Sequence, residues 1–482
     1  MNNLIKSTAM KYSTFNRTSR AKALLCAAIF MISLGVWGQN RTAYFLDGTN
    51  YNHELNPALT PETGYFSMPF LGNLGVETQG NVGYKTFIFK LDGNSKYSQT
   101  TFMSPTVSSD DFLGGLEDNN IARLRLNVTI LSAGFKAWGG YNSIGLTLRS
   151  KNGMNIPYEM YEFMKVQGEK AYSIKDVNMQ TKNYAELALG HSRQINDQLK
   201  VGANLKFLFG LAYAEMNFDR LDVNLSSGDQ WVVKADGTAD LSMGGEFTQK
   251  DGDATKVGGY DAAGMGMRGF GMAIDLGATY DLSEAVTEGL TVSGSLTDLG
   301  FISWNKTANG YINPDDPYIF KGFDNLGIHT DSQNKTLHEQ FQDQKDDLED
   351  FFTLRNGGEK SKTTGIGATL NLAGEYKMPF YDKLSAGLLF SHCFDGVYSW
   401  TECRVSANVE PTSWFDAALS VGVNTFGGSF GLLANIHCPG FNFFVGTDCF
   451  PGKTTKQYIP LDNLNASVNM GINFTFGGGS KD

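Results

Sequence analysis

Hydrophobic and small polar residues alternate along most of this chain with a period of two. In 465–478, "NASVNMGINFTFGG", Val468, Met470, Ile472, Phe474 and Phe476 share one strand face. Asn469, Gly471, Asn473 and Thr475 share the other, because successive Cβ atoms point to opposite sides of a sheet. The pattern returns at 122–135, 141–150, 183–192, 198–213, 268–282, 290–304, 364–376, 383–392, 399–409, 414–423, 428–437 and 441–450, with a first strand within 75–90. These segments predict an all-β fold of about 14 antiparallel strands. Their spacing is asymmetric. Connections near 137–140, 194–197, 283–288, 379–382, 410–413 and 438–440 are short. On the other side fall 91–121, 151–182, 214–266, 305–363 and 451–464, with two tight turns.

Short turns at one end, long loops at the other and an even strand count mark a transmembrane β-barrel, with the short turns in the periplasm and the long loops extracellular. A soluble sandwich also alternates its faces. Strands of 12 to 16 residues and such one-sided loop lengths argue against it. Lipid leaves no backbone group unpaired, so the sheet is expected to close.

The faces carry different chemistry. Leu199, Val201, Ala203, Leu205, Phe207, Phe209 and Leu211 form an outer row, and Lys200, Gly202, Asn204 and Lys206 an inner one. In the next strand Phe270, Met272, Ile274 and Leu276 face out while Asp275 faces in. The same parity turns Arg149, Glu186, Asn371, Glu375, Glu402, Arg404 and Asp416 toward the lumen, as candidate pore-lining residues. The mixed charges equally suit an internal salt-bridge network filling a small barrel.

The first residues define a separate unit. Lys6, Lys11, Arg17, Arg20 and Lys22 precede the apolar run "ALLCAAIFMISLGV" and the small residues before Gln39, the layout of a secretory signal over 1–38. The run is too short for a membrane-spanning helix, which needs about 20 residues. Ala23 stands where a lipoprotein signal wants Leu, which argues against lipidation of Cys26. Loss of the five basic residues takes the formal charge from −11 to −16, a poor balance for binding nucleic acid. Gly accounts for 56 residues and aromatics for 12%, placed inside the alternations and not between them, so one continuous sheet is expected over 75–478, with a short tail at 479–482.

Residues 39–74 read differently. "NHELNPALTPETG" is turn-rich and holds Pro57 and Pro61, each without the N–H a ladder needs. This segment, with Asn56 and Pro57 at its turn, is expected to plug the periplasmic mouth.

Motifs for chemistry are weak. "GMGMRG" (264–269) has the GxGxxG spacing but leads into a strand, not a helix. "DGD" (251–253) lacks a carboxylate at the twelfth position of a calcium loop, and "HEQFQ" (338–342) lacks a second His. No catalytic residue, metal or cofactor is expected. Cys393, Cys403, Cys438 and Cys449 suggest no pairing. Two loops carry apolar side chains densely: Tyr158, Tyr161, Phe163 and Met164 on a short helix, and Phe341 and Phe352 on an amphipathic helix over 336–358 that ends at Gly357. They either cap the barrel or form an outer docking surface.

The segment 41–84, with "NPAL" at Asn56–Leu59, and "LTVSGSLTDLGFISW" (290–304) resemble a Bacteroidetes family of outer-membrane barrels known as a domain of unknown function. That family is in turn similar to the fatty-acid-transporter (FadL-like) and secretion-associated barrels. The resemblance implies a barrel closed by its N-terminal segment and brings no catalytic residues. Two roles remain open. One is a passive conduit for small apolar or amphipathic molecules; the other is a structural or protein-binding barrel of a surface or secretion assembly, with membrane lipid as a partner in either case.

Overall fold

The computed structural model describes residues 40–90, 99–166, 171–226, 230–250, 253–262, 266–312, 318–320, 354–450 and 462–477. The expected signal over 1–38 and the side chains of Phe341 and Phe352 lie outside them.

The strands form one closed antiparallel ring. In chain order it contains β1 (Gly64–Ser67 and Leu74–Gly80), β2 (Asn119–Ala137), β3 (Gly140–Pro157), β4 (Val177–Gln194) and β5 (Leu199–Ser226). It continues through β6 (Gly269–Asp281), β7 (Leu290–Ile312), β8 (Leu354–Gly365 and Ala368–Lys377), β9 (Leu384–Phe394) and β10 (Trp400–Thr412). Then follow β11 (Phe415–Asn424), β12 (Gly427–Cys438), β13 (Phe441–Thr447) and β14 (Ala466–Phe476). These are sixteen strand segments; β1 and β8 are each built of two, which leaves fourteen places around the ring. Closure is made by β14 against β1, with Tyr65 opposite Thr475 and Val76 opposite Val468.

All six short turns fall where the alternation lapses. Between β2 and β3, Trp138 and Gly139 both have positive φ (55° and 73°), the two-residue hairpin that matches strand twist. Exposed apolar side chains ring this end: Trp138 is 78% and Phe380 77% exposed, with Ile195, Val286 and Trp414 on other turns. Above them the outer face is apolar, through Leu205, Phe270, Met272, Ile274, Leu276, Leu388, Leu419, Val421, Val445 and Phe474. Such a band with aromatic residues at its border is what a bilayer covers.

Several expectations need correction. The first strand starts at Gly64, before residue 75, and Tyr84–Phe87 is a helical turn. The segments 214–266 and 305–363 are not wholly loop: β5 runs on to Ser226 and pairs with a strand at Gln230–Ser242, and β7 runs on to Ile312. Residues 354–358, expected to finish a helix at Gly357, begin β8 instead, with Arg355 opposite Tyr311. Above the apolar band both strand faces meet water or loops, so the alternation that betrays a strand is lost there. Gln230–Ser242 takes the place of β6 in the ring above the band, lying between β5 and β7. One wall is therefore taller than the other.

The bulge in β7 sets what the lumen contains. Thr297 and Asp298 together oppose the single residue Asp275, and Asp298 has φ 58°. A bulge reverses parity along its strand. It turns Leu299 and Phe301 out and brings Ile302 and Trp304 in, where both are fully buried.

Replacing Met470, mid-strand on the outer face, by Arg is expected to cost about 2–4 kcal/mol of barrel stability, read by denaturant titration in bilayers. An unchanged midpoint would place this face away from lipid.

Candidate functional site: a plugged lumen

Residues 40–62 run through the ring and touch most of its wall. The Arg41 and Thr42 amides donate to Asp448 at 2.8 and 2.6 Å, and the Thr42 and Ser420 hydroxyls lie 2.9 Å apart. Asn50 donates to Asn442 (3.2 Å) and the Tyr51 hydroxyl to Asn473 (2.9 Å). The Leu55 carbonyl accepts from Ser295 (2.6 Å) and Asn371 (3.1 Å), and Lys200 donates to Thr60 (2.6 Å). The segment has hardly any regular structure, so its backbone and side-chain polar groups must find such partners.

The "NPAL" turn explains itself locally. The Asn56 side-chain oxygen accepts from the Ala58 amide at 3.0 Å, and the Leu59 amide donates to the Asn56 carbonyl at 2.8 Å, closing a turn around Pro57. Asn56 also donates to the Tyr44 hydroxyl, which meets Ser293 at 3.0 Å. The turn rests on Gly202 and Gly277, paired across β5 and β6. A Cβ on Gly202 would lie 2.2 Å from the Pro57 carbonyl oxygen, and one on Gly277 2.0 Å from the Asn56 side-chain oxygen. The same device recurs where Gly387 receives Phe45 and Gly431 receives Thr42. Glycines inside the strands are thus hollows for the plug.

Two ionic groups sit beside it. Arg149 binds Glu186 through two parallel bonds (2.9 and 2.8 Å), and Lys206 joins Asp275 (2.8 Å) and Asp298 (2.7 Å) while Glu186 lies at 3.9 Å. Asn204 donates to Asp275, and Lys151 lies 3.6 Å from Asp298. These residues come from adjacent strands β3 to β7 and hold that wall together. The second group is centred on the plug. Arg41 pairs with Glu77, its Nε is 3.5 Å from Glu402, and its guanidinium stacks 4.6 Å over the Trp400 ring. Burial alone would pull Arg41 down, but Glu402 and Glu77 hold its pKa above the ordinary value. Burial pushes His53 down to about 4, so it is neutral within the plug. Arg404 binds Glu402 (2.7 Å) and Ser420 (2.7 Å).

Above the ionic layer the lumen is aromatic. Tyr184, Leu208, Tyr213, Trp304 and Ile366 pack together, and Trp304 stacks on Tyr213 at 5.1 Å. From the opposite side Tyr398 reaches across and donates to Asn178 at 2.6 Å, beside Trp400. Two cavities between plug and wall hold only about 30 and 20 Å³, room for ordered water.

All eleven expected lumen residues face inward, though not along an open bore. Arg149, Glu186, Asn204, Lys206, Asp275, Asn371, Glu402, Arg404 and Asp416 are buried; Lys200 and Glu375 are half-buried. Asp416 meets His437 (2.8 Å) and Asn435 (2.9 Å) under Gly48 of the plug. The helix Tyr158–Val166 forms as expected, but as a docking surface its face is already used. Tyr161 packs with Phe87, Phe102 and Phe112, and Phe163 with Tyr172, Ile174 and Phe218. Tyr158 and Met164 are half-buried, since the surrounding loops close on the helix. Sequence reasoning missed Arg41, Glu77, Arg125, Asp298, Trp304 and Trp400. Only the inward parity of Glu77, Arg125 and Trp400 could have been read. The four cysteines of the described residues are free thiols.

Residues 57–448 match DUF5723, a family of unknown function. The chain belongs to that family. No curated protein sequence matches it. Among solved structures it is similar to the Ralstonia pickettii toluene transporter TbuX, with 9% identity, 92% of this chain and 98% of that one covered, and a TM-score of 0.42. A Pseudomonas aeruginosa FadL homologue gives 11%, 92%, 98% and 0.39. The translocator domain of the Neisseria meningitidis autotransporter NalP gives 10%, 86%, 90% and 0.32. At such identities and scores the architecture rests on the strand register above, not on these likenesses.

Two substitutions separate wall from plug. Lys206→Met leaves Asp275 buried without its cation and Asp298 with only the more distant Lys151, and is expected to cost about 3–5 kcal/mol, measured by thermal unfolding. Gly202→Val should instead leave the ring assembled and heat-modifiable on a detergent gel while exposing residues 56–60 to protease. Protection equal to wild type would refute the glycine seat.

Proposed function

We propose that the protein is an outer-membrane conduit for small apolar or amphipathic molecules, held shut by its own residues 40–62. The observation that carries this reading is the manner in which the plug is held. It lies inside a complete ring and is bound by side-chain hydrogen bonds, the Arg41 ion-pair cluster, a Glu54–Arg149 contact and glycine hollows, with no strand pairing before Gly64 among the described residues. Such a segment can leave without opening the ladder, so gating and barrel stability are separable. The aromatic layer of Tyr184, Tyr213, Trp304, Tyr398 and Trp400 offers an apolar lining toward the long-loop end, which supports an apolar or amphipathic cargo. The apolar band and the ring of exposed turn residues support the membrane setting.

A second reading, a structural or partner-binding barrel, is favoured by one observation: the two cavities described between plug and wall are water-sized. A reversible tether discriminates. Thr42→Cys with Ser420→Cys joins positions whose hydroxyls are 2.9 Å apart, in a background with Cys403 and Cys438 replaced by serine. For a conduit, flux of a fluorescent amphipath into proteoliposomes should fall at least about tenfold on oxidation and return on reduction. Equal flux in both states, at the level of empty liposomes, would rule out the conduit and leave the structural reading. Recovery of the native protein in a soluble fraction without detergent would overturn both.

A further inference from the structure

From the geometry of its binding we infer that Arg41 is a latch that holds one half of the plug independently of the glycine seat that holds the other. The inference rests on the plug reading above.

Three separated parts of the wall converge on this residue. Glu77 comes from β1, Glu402 and Trp400 from β10, and Asp448 from the end of β13. The last three lie toward the long-loop ends of their strands, whereas Thr60 meets Lys200 near a short turn. Arg41 and the "NPAL" turn are therefore opposite attachments of one segment. Arg41 is only 3% exposed, and its cluster is incompletely bonded by protein groups. Its Nε and Nη1, the second carboxylate oxygen of Glu77 and the Trp400 indole nitrogen are buried with no protein group at hydrogen-bond distance. Buried polar groups nearly always have partners, so each exception calls for an explanation.

The attachment is also chemically distinct from its surroundings. Along 42–60 the wall contacts are mainly amide and hydroxyl bonds, with Glu54 3.7 Å from Arg149. The neutral bonds among them exchange readily for water once solvent enters; the Thr42 amide on Asp448 and Lys200 on Thr60 are the charge-assisted ones. A guanidinium facing two carboxylates in a lumen closed to bulk water does not, since separation would strand its own buried charge. Arg125 stands 5.5 Å over the same Trp400 ring and 3.7 Å from Glu77, ready to satisfy the acid when Arg41 leaves. The wall thus keeps a cation for Glu77, and Arg404 keeps one for Glu402. Release of Arg41 leaves neither carboxylate alone, as an openable latch requires.

The test reads plug position directly. Single cysteines at Thr42→Cys or Ala58→Cys, in a background with the four native cysteines replaced, report access of a water-soluble maleimide to the two halves in bilayers. Arg41→Gln is expected to raise the labelling rate at position 42 by about tenfold or more and to leave position 58 within about twofold, with a heat-modifiable band confirming assembly. Arg41→Lys, which keeps the charge but loses the fork, should give an intermediate rate at position 42; it decides the matter should Arg41→Gln fail to assemble. An unchanged rate at 42, or equal rises at 42 and 58, would overturn the latch. Flux measured on the same vesicles separates the two claims: faster labelling without passage sinks the conduit and spares the latch, and passage with unchanged labelling does the reverse.

Discussion

A sheet that meets lipid on one face has to close, because an unpaired backbone edge has no water to bond. Here closure is achieved by β14 against both pieces of β1, and the rest of the molecule follows from it. Closure divides every strand by parity. The outward residues become apolar, and the inward ones are left facing a narrow space that is neither lipid nor bulk water. Small and polar side chains suit that space only if something satisfies them. In this chain residues 40–62 do so.

The lumen is consequently layered. Near the short turns the plug is seated on glycines and bonded to asparagine, serine and tyrosine side chains. Beside it, the charges of β3 to β7 neutralise one another along the wall, and Arg41 draws β1, β10 and β13 together. Nearer the long loops the filling is aromatic. The motif "DLGFISW" belongs to all this through one bulge: Asp298 supplies a carboxylate to Lys206, and the reversed parity beyond it delivers Trp304 to the aromatic layer.

Within the apolar band the sequence was legible. The fourteen ring places, six short turns and the inward direction of Lys206, Asp275 and Arg404 all follow from period-two alternation. Beyond the band the code weakens, which is why the upper reaches of β5, around Asp219–Leu225, read as loop although they are strand. The inward direction of Trp304 could not be read for another reason: no residue type announces a bulge, and parity cannot be carried across one. The prolines and turns of residues 56–64 told against a barrel strand there, but the partners of the segment were not legible. Contacts such as Arg41 with Glu402 join residues far apart in sequence and are set by three-dimensional closure alone.

Hydrogen–deuterium exchange of the native protein in lipid nanodiscs tests most directly whether the ring encloses its own N-terminal segment. The amides of Arg41 and Thr42, bonded to Asp448, and of Ala58, bonded to Asn56, should exchange at least about a hundredfold more slowly than in an unstructured peptide of the same sequence. Exchange across 41–58 at the free-peptide rate, with the strands of the ring still protected, would show that the segment lies outside the lumen and would contradict the plugged barrel.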